Sequence, residues 1–163
     1  MPFIHPQTPE DLLPELEKIL QYTFKDKTIA LEALQMRGGD PKNGGATPLC
    51  YAGEMFSVPK NNRLAIVGDA LLNYILSVPW YESGTPAGNW TRLQYRNITN
   101  DVLGEKGLGL GLDKFVIKDY TNPKVSKGMV ATLVEALVGA VSRDGGLEEA
   151  VRVTKALGLL KEK

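Results

Sequence analysis

The stretch Asn61–Ser77, NNRLAIVGDALLNYILS, decides how this chain is read. From Arg63 onward Leu64, Ile66, Val67, Leu71, Leu72 and Ile75 recur at helical spacing and leave little of the circumference polar. The pattern predicts a long helix from Arg63 to Ser77, stopped near Pro79 and apolar on most faces, as a central buried helix would be. It also carries more apolar surface than one internal face can bury. Excess surface of that kind predicts an interface through Leu64, Ile66 and Val67, with a two-fold homodimer as the default assembly.

The rest of the chain reads as further helices. Thr8-Pro-Glu-Asp is a helix start, with a Thr cap, proline in the first turn and acids against the dipole. Leu12, Leu16, Ile19 and Leu20 then share one face, and Asp26 restarts a helix through Ile29, Leu31 and Leu34. The segment 38–61 is rich in Gly, Pro and Asn and predicts a loop insertion, longer than most connections. A Gly/Pro turn over 84–88 leads into a helix at Trp90–Leu103 with Arg92, Arg96 and Asn100 on its polar side. The run GLGLGLDKF lacks the preceding strand and the spacing of a dinucleotide loop, so its glycines are read as ending one helix and starting another. Ser126–Val141 is a second strongly apolar helix, ended by Asp144-Gly-Gly, and Leu147–Leu160 is amphipathic. No strand-like alternation persists, so the predicted fold class is all-α.

At 163 residues and 43% hydrophobic, the chain suits a single domain, 1–163, with its core over about 16–158. Lys plus Arg equals Asp plus Glu, 19 each, so the basic excess typical of a free-standing nucleic-acid binder is missing. One cysteine, Cys50, excludes an intrachain disulfide and a Cys-built zinc site, and one histidine, His5, excludes an internal His cluster. Hydrolytic chemistry would therefore fall to carboxylates. The first residues show no secretory signal, and Glu10, Asp11, Glu15 and Glu17 argue against a presequence, so an intracellular location, cytoplasmic or nuclear, is expected. No stretch approaches about 18 consecutive apolar residues, so no membrane partner is expected. The Asn-x-Ser/Thr matches at Asn89 and Asn97 are read as chance.

Four segments, in order, resemble the ribonuclease III catalytic domain. Leu20–Gln35, LQYTFKDKTIALEALQ, is similar to that family's opening segment. Asn61–Ser77 is similar to its signature helix, which typically reads N-E-R-L-E-F-L-G-D. Trp90-TRLQYRNITNDVLGEKGLGLGL and Met129-VATLVEALVGAVSRDGGLEE-Ala150 resemble its two remaining stretches, the last through E-A-L-x-G-A. The resemblance implies carboxylates on two facing helices that hold divalent metal, polarise a phosphate and generate hydroxide for phosphodiester hydrolysis. Carried over position by position, the first pair falls on Ala65 and Asp69, spaced i and i+4, and the second on Thr132 and Glu135, spaced i and i+3. A further family glutamate falls on Asn62. Asp69 and Glu135 thus keep the catalytic and metal-binding role implied by the family. Ala65, Thr132 and Asn62 depart from it, and weak binding of Mg²⁺ or Mn²⁺ at most is expected, because hard cations are held by ligand charge.

The resemblance also implies duplex or structured RNA as the partner, contacted through backbone phosphates by Arg92, Arg96, Lys124 and Lys127. The double-stranded-RNA-binding domain that the family usually appends is not expected here. Three functions stay open at this point. The first is a dimeric domain that engages structured RNA with a degenerate centre and weak or no cleavage. The second is an active divalent-metal-dependent endoribonuclease, and the third a scaffold subunit of a ribonucleoprotein.

Overall fold

Helix boundaries follow capping chemistry. Thr8 precedes α1 (Pro9–Leu20), and its N–H and hydroxyl both donate to the Asp11 carboxylate. Asp26 opens α2 (Lys27–Leu34) by accepting from the Thr28 N–H at 2.9 Å. The computed structural model describes residues 8–38, 42, 45–119 and 124–160; His5 lies outside them.

Segment 45–61 is not the irregular loop that its composition suggests. Two short strands, β1 (Thr47–Tyr51) and β2 (Glu54–Val58), pair antiparallel with Leu49 opposite Phe56. Ala52 and Gly53 connect them, both at positive φ (52° and 78°), the backbone that a two-residue hairpin turn requires. Thr47 and Leu49 face inward while Pro48 and Cys50 face outward. Leu49 and Val58 bury against Leu31 of α2, and the Glu10 carboxylate accepts from the Ala52 N–H, tying the hairpin tip to α1. The architecture is otherwise helical.

Helix α3 (Asn62–Glu82) runs three residues past Pro79. The proline costs one backbone bond. The last turn holds nonetheless, because Ser83 donates its N–H to the Pro79 carbonyl at 3.0 Å and its hydroxyl to the Trp80 carbonyl at 2.6 Å. The single helix expected over 90–103 is two. Helix α4 (Trp90–Asn97) ends at Ile98, and Thr99 caps α5 (Asn100–Gly109) by accepting from the Val102 N–H. Gly111, at φ 72°, turns the chain into a short 3₁₀ turn at Leu112–Phe115. Ser126 caps α6 (Lys127–Gly145), and α7 (Leu147–Ala156) follows directly.

The central helix is α6, not α3. Its residues Val130, Ala131, Leu133, Val134 and everything from Ala136 to Val141 are buried, with α3, α5, α2 and α7 packed around it. Helix α3 lies on one flank of α6. It buries Leu64, Ala65, Gly68, Leu72, Ile75 and Leu76, and leaves Ile66 (72% exposed), Tyr74, Val78 and Tyr81 on an outward apolar stripe. Leu64, expected at a partner interface, is 6% exposed and belongs to the chain's own core. By length and average hydropathy alone α3 is long and apolar enough to cross a membrane, a test that the core helix of a soluble protein also passes. Asp69, Asn73 and Ser77 interrupt its apolar run without lowering its average much.

A separate clamp holds both ends of the neighbourhood. The Asp144 carboxylate, near the end of α6, accepts from the Tyr22 hydroxyl (2.7 Å) and from the Lys25 and Asp26 N–H groups (2.8 and 2.9 Å). Burial alone would raise this carboxyl's pKa, but these three donors outweigh it and hold Asp144 below the usual carboxylate range.

Candidate functional site

The site rests on how closely α3 and α6 cross. A Cβ at Gly68 would fall 3.0 Å from the Glu135 Cα and far inside contact with the Glu135 carbonyl oxygen. A Cβ at Gly139 would fall 3.1 Å from the Gly68 nitrogen and against the Leu64 carbonyl. Only glycine fits at both places. The two backbones therefore meet at Gly68–Glu135, and Asp69, next in the chain, stands beside Glu135.

That juxtaposition shows in the charges. Burial pushes the Glu135 carboxyl up from 4.5 to about 7, and repulsion from Asp69 pushes the same way. Asp69 is exposed, and its carboxylate and backbone carbonyl take the Asn73 side-chain amide, at 3.5 and 2.9 Å respectively. Asn73 in turn accepts from Gln94 of α4 at 2.6 Å. This Asp69–Asn73–Gln94 line fixes α4 beside the carboxylate pair. Sequence reasoning missed Asn73 and Gln94; the only available signal was the i, i+4 spacing of Asp69 and Asn73 on one helical face.

The departed positions are equally clear. Ala65 is buried and presents a methyl group where the first pair's other acid would stand. Thr132 returns its hydroxyl to the Gly128 carbonyl at 3.1 Å. Asn62 is exposed on the first turn of α3. The neighbouring Asn61 is the structural one: its amide donates to the Ala33 carbonyl (3.0 Å) and its N–H to the Gln35 carbonyl (2.9 Å), pinning α3 to the end of α2. Two carboxylates alone supply fewer charged ligands than the four that the family resemblance implies. Among the described residues no group of three or more Asp, Glu, His or Cys side chains is placed to hold a metal ion.

The expected phosphate contacts fall on two elements. Arg92 and Arg96 lie one turn apart on α4, both exposed and, among the described residues, without an ion-pair partner. Lys124 is exposed just before α6. Lys127, the first residue of α6, is engaged by Asp101 at 3.1 Å and Glu105 at 3.7 Å, so an RNA phosphate would compete with two carboxylates for it.

Comparisons with known proteins point the same way. The family model described as the ribonuclease III domain matches residues 62–146, a little over half of the chain and the part that contains α3 through α6. Ribonuclease 3 of Symbiobacterium thermophilum is 30% identical over 149 residues, covering 88% of this chain and 58% of the relative. Ribonuclease 3 of Pseudomonas fluorescens is 30% identical over 144 residues, covering 85% and 56%. The chain thus spans somewhat more than half the length of these curated relatives. The fold is shared with the nuclease domain of ribonuclease III from Campylobacter jejuni in two solved structures, each at TM-score 0.73 and 20% identity. One of them covers 89% of this chain and 94% of its own, and concerns flexibility in the region involved in dimer formation of that nuclease domain. With the matched family segment spanning both crossing helices and their glycine contact, this chain belongs to the ribonuclease III domain family.

Proposed function

We propose that this chain is a homodimeric ribonuclease III-fold domain that engages double-stranded or structured RNA, with a degenerate metal site and weak or no cleavage. One observation carries the reading. Ala65 and Thr132 stand, as a buried methyl and an inward-bonded hydroxyl, at two of the four positions where the family keeps its ligand carboxylates. The remaining pair, Asp69 and Glu135, supplies too little charge for tight binding of Mg²⁺ or Mn²⁺. Dimerisation is supported by the outward stripe of α3, where Ile66, Tyr74, Val78 and Tyr81 form an apolar line that water covers poorly. RNA engagement is supported by the unpaired Arg92 and Arg96 and by Lys124, doubled in a two-fold assembly.

The test uses labelled duplex RNA at low salt with and without Mg²⁺ or Mn²⁺. Binding without efficient cleavage is expected, and the double variant Ala65→Glu with Thr132→Asp, which rebuilds both adjacent acidic pairs, should gain metal-dependent cleavage. Efficient cleavage by the unmodified protein, abolished in Glu135→Gln, would overturn the degenerate-site reading in favour of an active endoribonuclease. Absence of duplex binding would instead favour a scaffold subunit of a ribonucleoprotein, a role to which equal numbers of acidic and basic residues are suited.

A further inference from the structure

At the far end of α3 from the carboxylate pair, a cleft of about 470 Å³ opens between α3, α4, α5 and the segment after α7. Trp80, which lines it, is eleven residues on from Asp69, about 16 Å along the helix axis. This is a separate place on the molecule. Its volume is ordinary for a site that holds one small organic molecule.

The lining has a consistent chemistry. Leu76, Trp80, Leu93 and Leu159 make an apolar wall, and Trp80 is braced by Trp90 at 5.4 Å between ring centroids. Arg96 and Lys106 supply two cations, and none of the residues lining the cleft is acidic, although the chain carries as many acids as bases. Lys106 is steadied at the rim by donating to the Gly158 carbonyl and keeps further N–H donors. Arg96 is exposed with no ion-pair partner among the described residues, and the exposed Asn89 side-chain amide stands at the rim. The Trp80 indole N–H, by contrast, is buried without an acceptor. A flat ring system satisfies the indole and leucine wall, an anion satisfies the cations, and a polar edge satisfies the rim amide.

We propose that this cleft binds a phosphorylated nucleoside, free or as the terminal nucleotide of an RNA strand. The base lies against Trp80 and Leu93, and the phosphate lies between Arg96 and Lys106. Stacking on an aromatic wall tolerates any base, whereas the cations demand the phosphate. Occupancy does not depend on duplex recognition or on the Asp69–Glu135 pair.

Of the chain's two tryptophans, Trp80 lines this cleft and Trp90 packs against it, so intrinsic emission reports on the cleft. Titration of the whole protein with adenosine monophosphate, excited at the red edge of indole absorption, should give a saturable change. Adenosine, and adenosine monophosphate with Arg96→Glu, each lose a charge-assisted hydrogen bond, and inorganic phosphate loses the stacked base, so each of the three should bind about tenfold more weakly or worse. Arg96 is exposed, so its variant should keep the wild-type circular dichroism and melting temperature. A terminally phosphorylated RNA hexamer that binds tighter than the mononucleotide assigns the cleft to strand ends; equal or weaker binding assigns it to free nucleotide. No saturation up to roughly 10 mM, beyond the range of specific affinities, or equal affinity in Arg96→Glu, would overturn the proposal. A closed dumbbell duplex, which has no strand ends, reports duplex engagement separately, so failure of one reading is distinguished from failure of the other even though Arg96 serves both.

Discussion

Replacing Glu135 by glutamine should stabilise the protein at alkaline pH and leave it nearly unchanged at acid pH. Burial and the neighbouring Asp69 raise the Glu135 carboxyl from 4.5 to about 7. A group whose charged form is disfavoured by folding costs nothing below its unfolded value. Its cost grows as pH rises from about 4.5 to about 7 and is constant above that. At 1.36 kcal/mol per pH unit the full displacement corresponds to about 3.4 kcal/mol. Glu135 is only half buried, so solvent screening reduces this to roughly 1–2 kcal/mol. Guanidinium unfolding of wild type and Glu135→Gln at pH 5 and pH 8 measures the difference directly. The variant should gain about 1–2 kcal/mol at the higher pH and little at the lower, with unchanged slopes. Asp69→Asn should recover part of the same gain by removing the second cause. An equal effect of Glu135→Gln at both pH values would mean that the gain comes from packing or hydrogen bonding, and would refute the electrostatic argument.

Asp144→Asn should cost roughly 1–3 kcal/mol, because a carboxylate serving three donors becomes an amide with one acceptor oxygen. Its depressed carboxyl also means that this stability is present above about pH 4 and lost as pH falls further, so the variant should show a weaker acid dependence than wild type in urea unfolding. Gly68→Ala should lower stability by about 3 kcal/mol or more, since its methyl meets the Glu135 backbone and not a yielding side chain; a melting temperature equal to wild type would contradict the crossing geometry. Ile66→Asp, on the exposed stripe of α3, should convert a dimer to monomer by light scattering without loss of helicity, whereas wild-type monomer at micromolar concentration would remove the basis for the expected change.

What the sequence made legible follows from the range of the signals. The 3.6-residue period marks α3 and α6 because each keeps an apolar face over many turns, and the R-L-x-x-x-G-D and E-A-L-x-G-A patterns supply the rest. Period does not say which of two apolar helices is enclosed. Leu64 and Ile66 are equally apolar as letters, yet one is core and the other faces out, because α6 has α2, α3, α5 and α7 packed around it while α3 leaves one face to solvent. The hairpin at 47–58 stayed hidden because Pro48 argues against a strand and Ala-Gly is a weak turn signal. Its Ala52 adopts positive φ with its N–H taken by Glu10, a contact 42 residues away. The break between α4 and α5 turns on Thr99 acting as a cap, and a threonine inside a periodic run gives no warning of that. Amides such as Asn61, Asn73 and Gln94 depend wholly on tertiary partners, so local pattern is silent about them.

On the proposed reading of a degenerate site, the geometry accounts for how the scaffold would persist without its ligands. The crossing of α3 on α6 depends on Gly68 and Gly139, and neither glycine contributes a ligand atom. Packing alone holds them. A carboxylate at position 65 would sit at a site that now buries an alanine in the core, where an unpaired charge is expensive unless a cation or proton offsets it. Alanine removes that cost outright, and Thr132 replaces a charge by a hydroxyl already satisfied by the Gly128 carbonyl. Asp69, exposed and touched by Asn73, costs little to keep. Glu135 alone remains as an electrostatic burden, and its raised pKa is the measure of it. On the proposed reading, the substitutions at 65 and 132 are those that a metal-free fold favours most. Glu135 persists because its side chain remains half in solvent, where protonation near neutral pH limits the penalty.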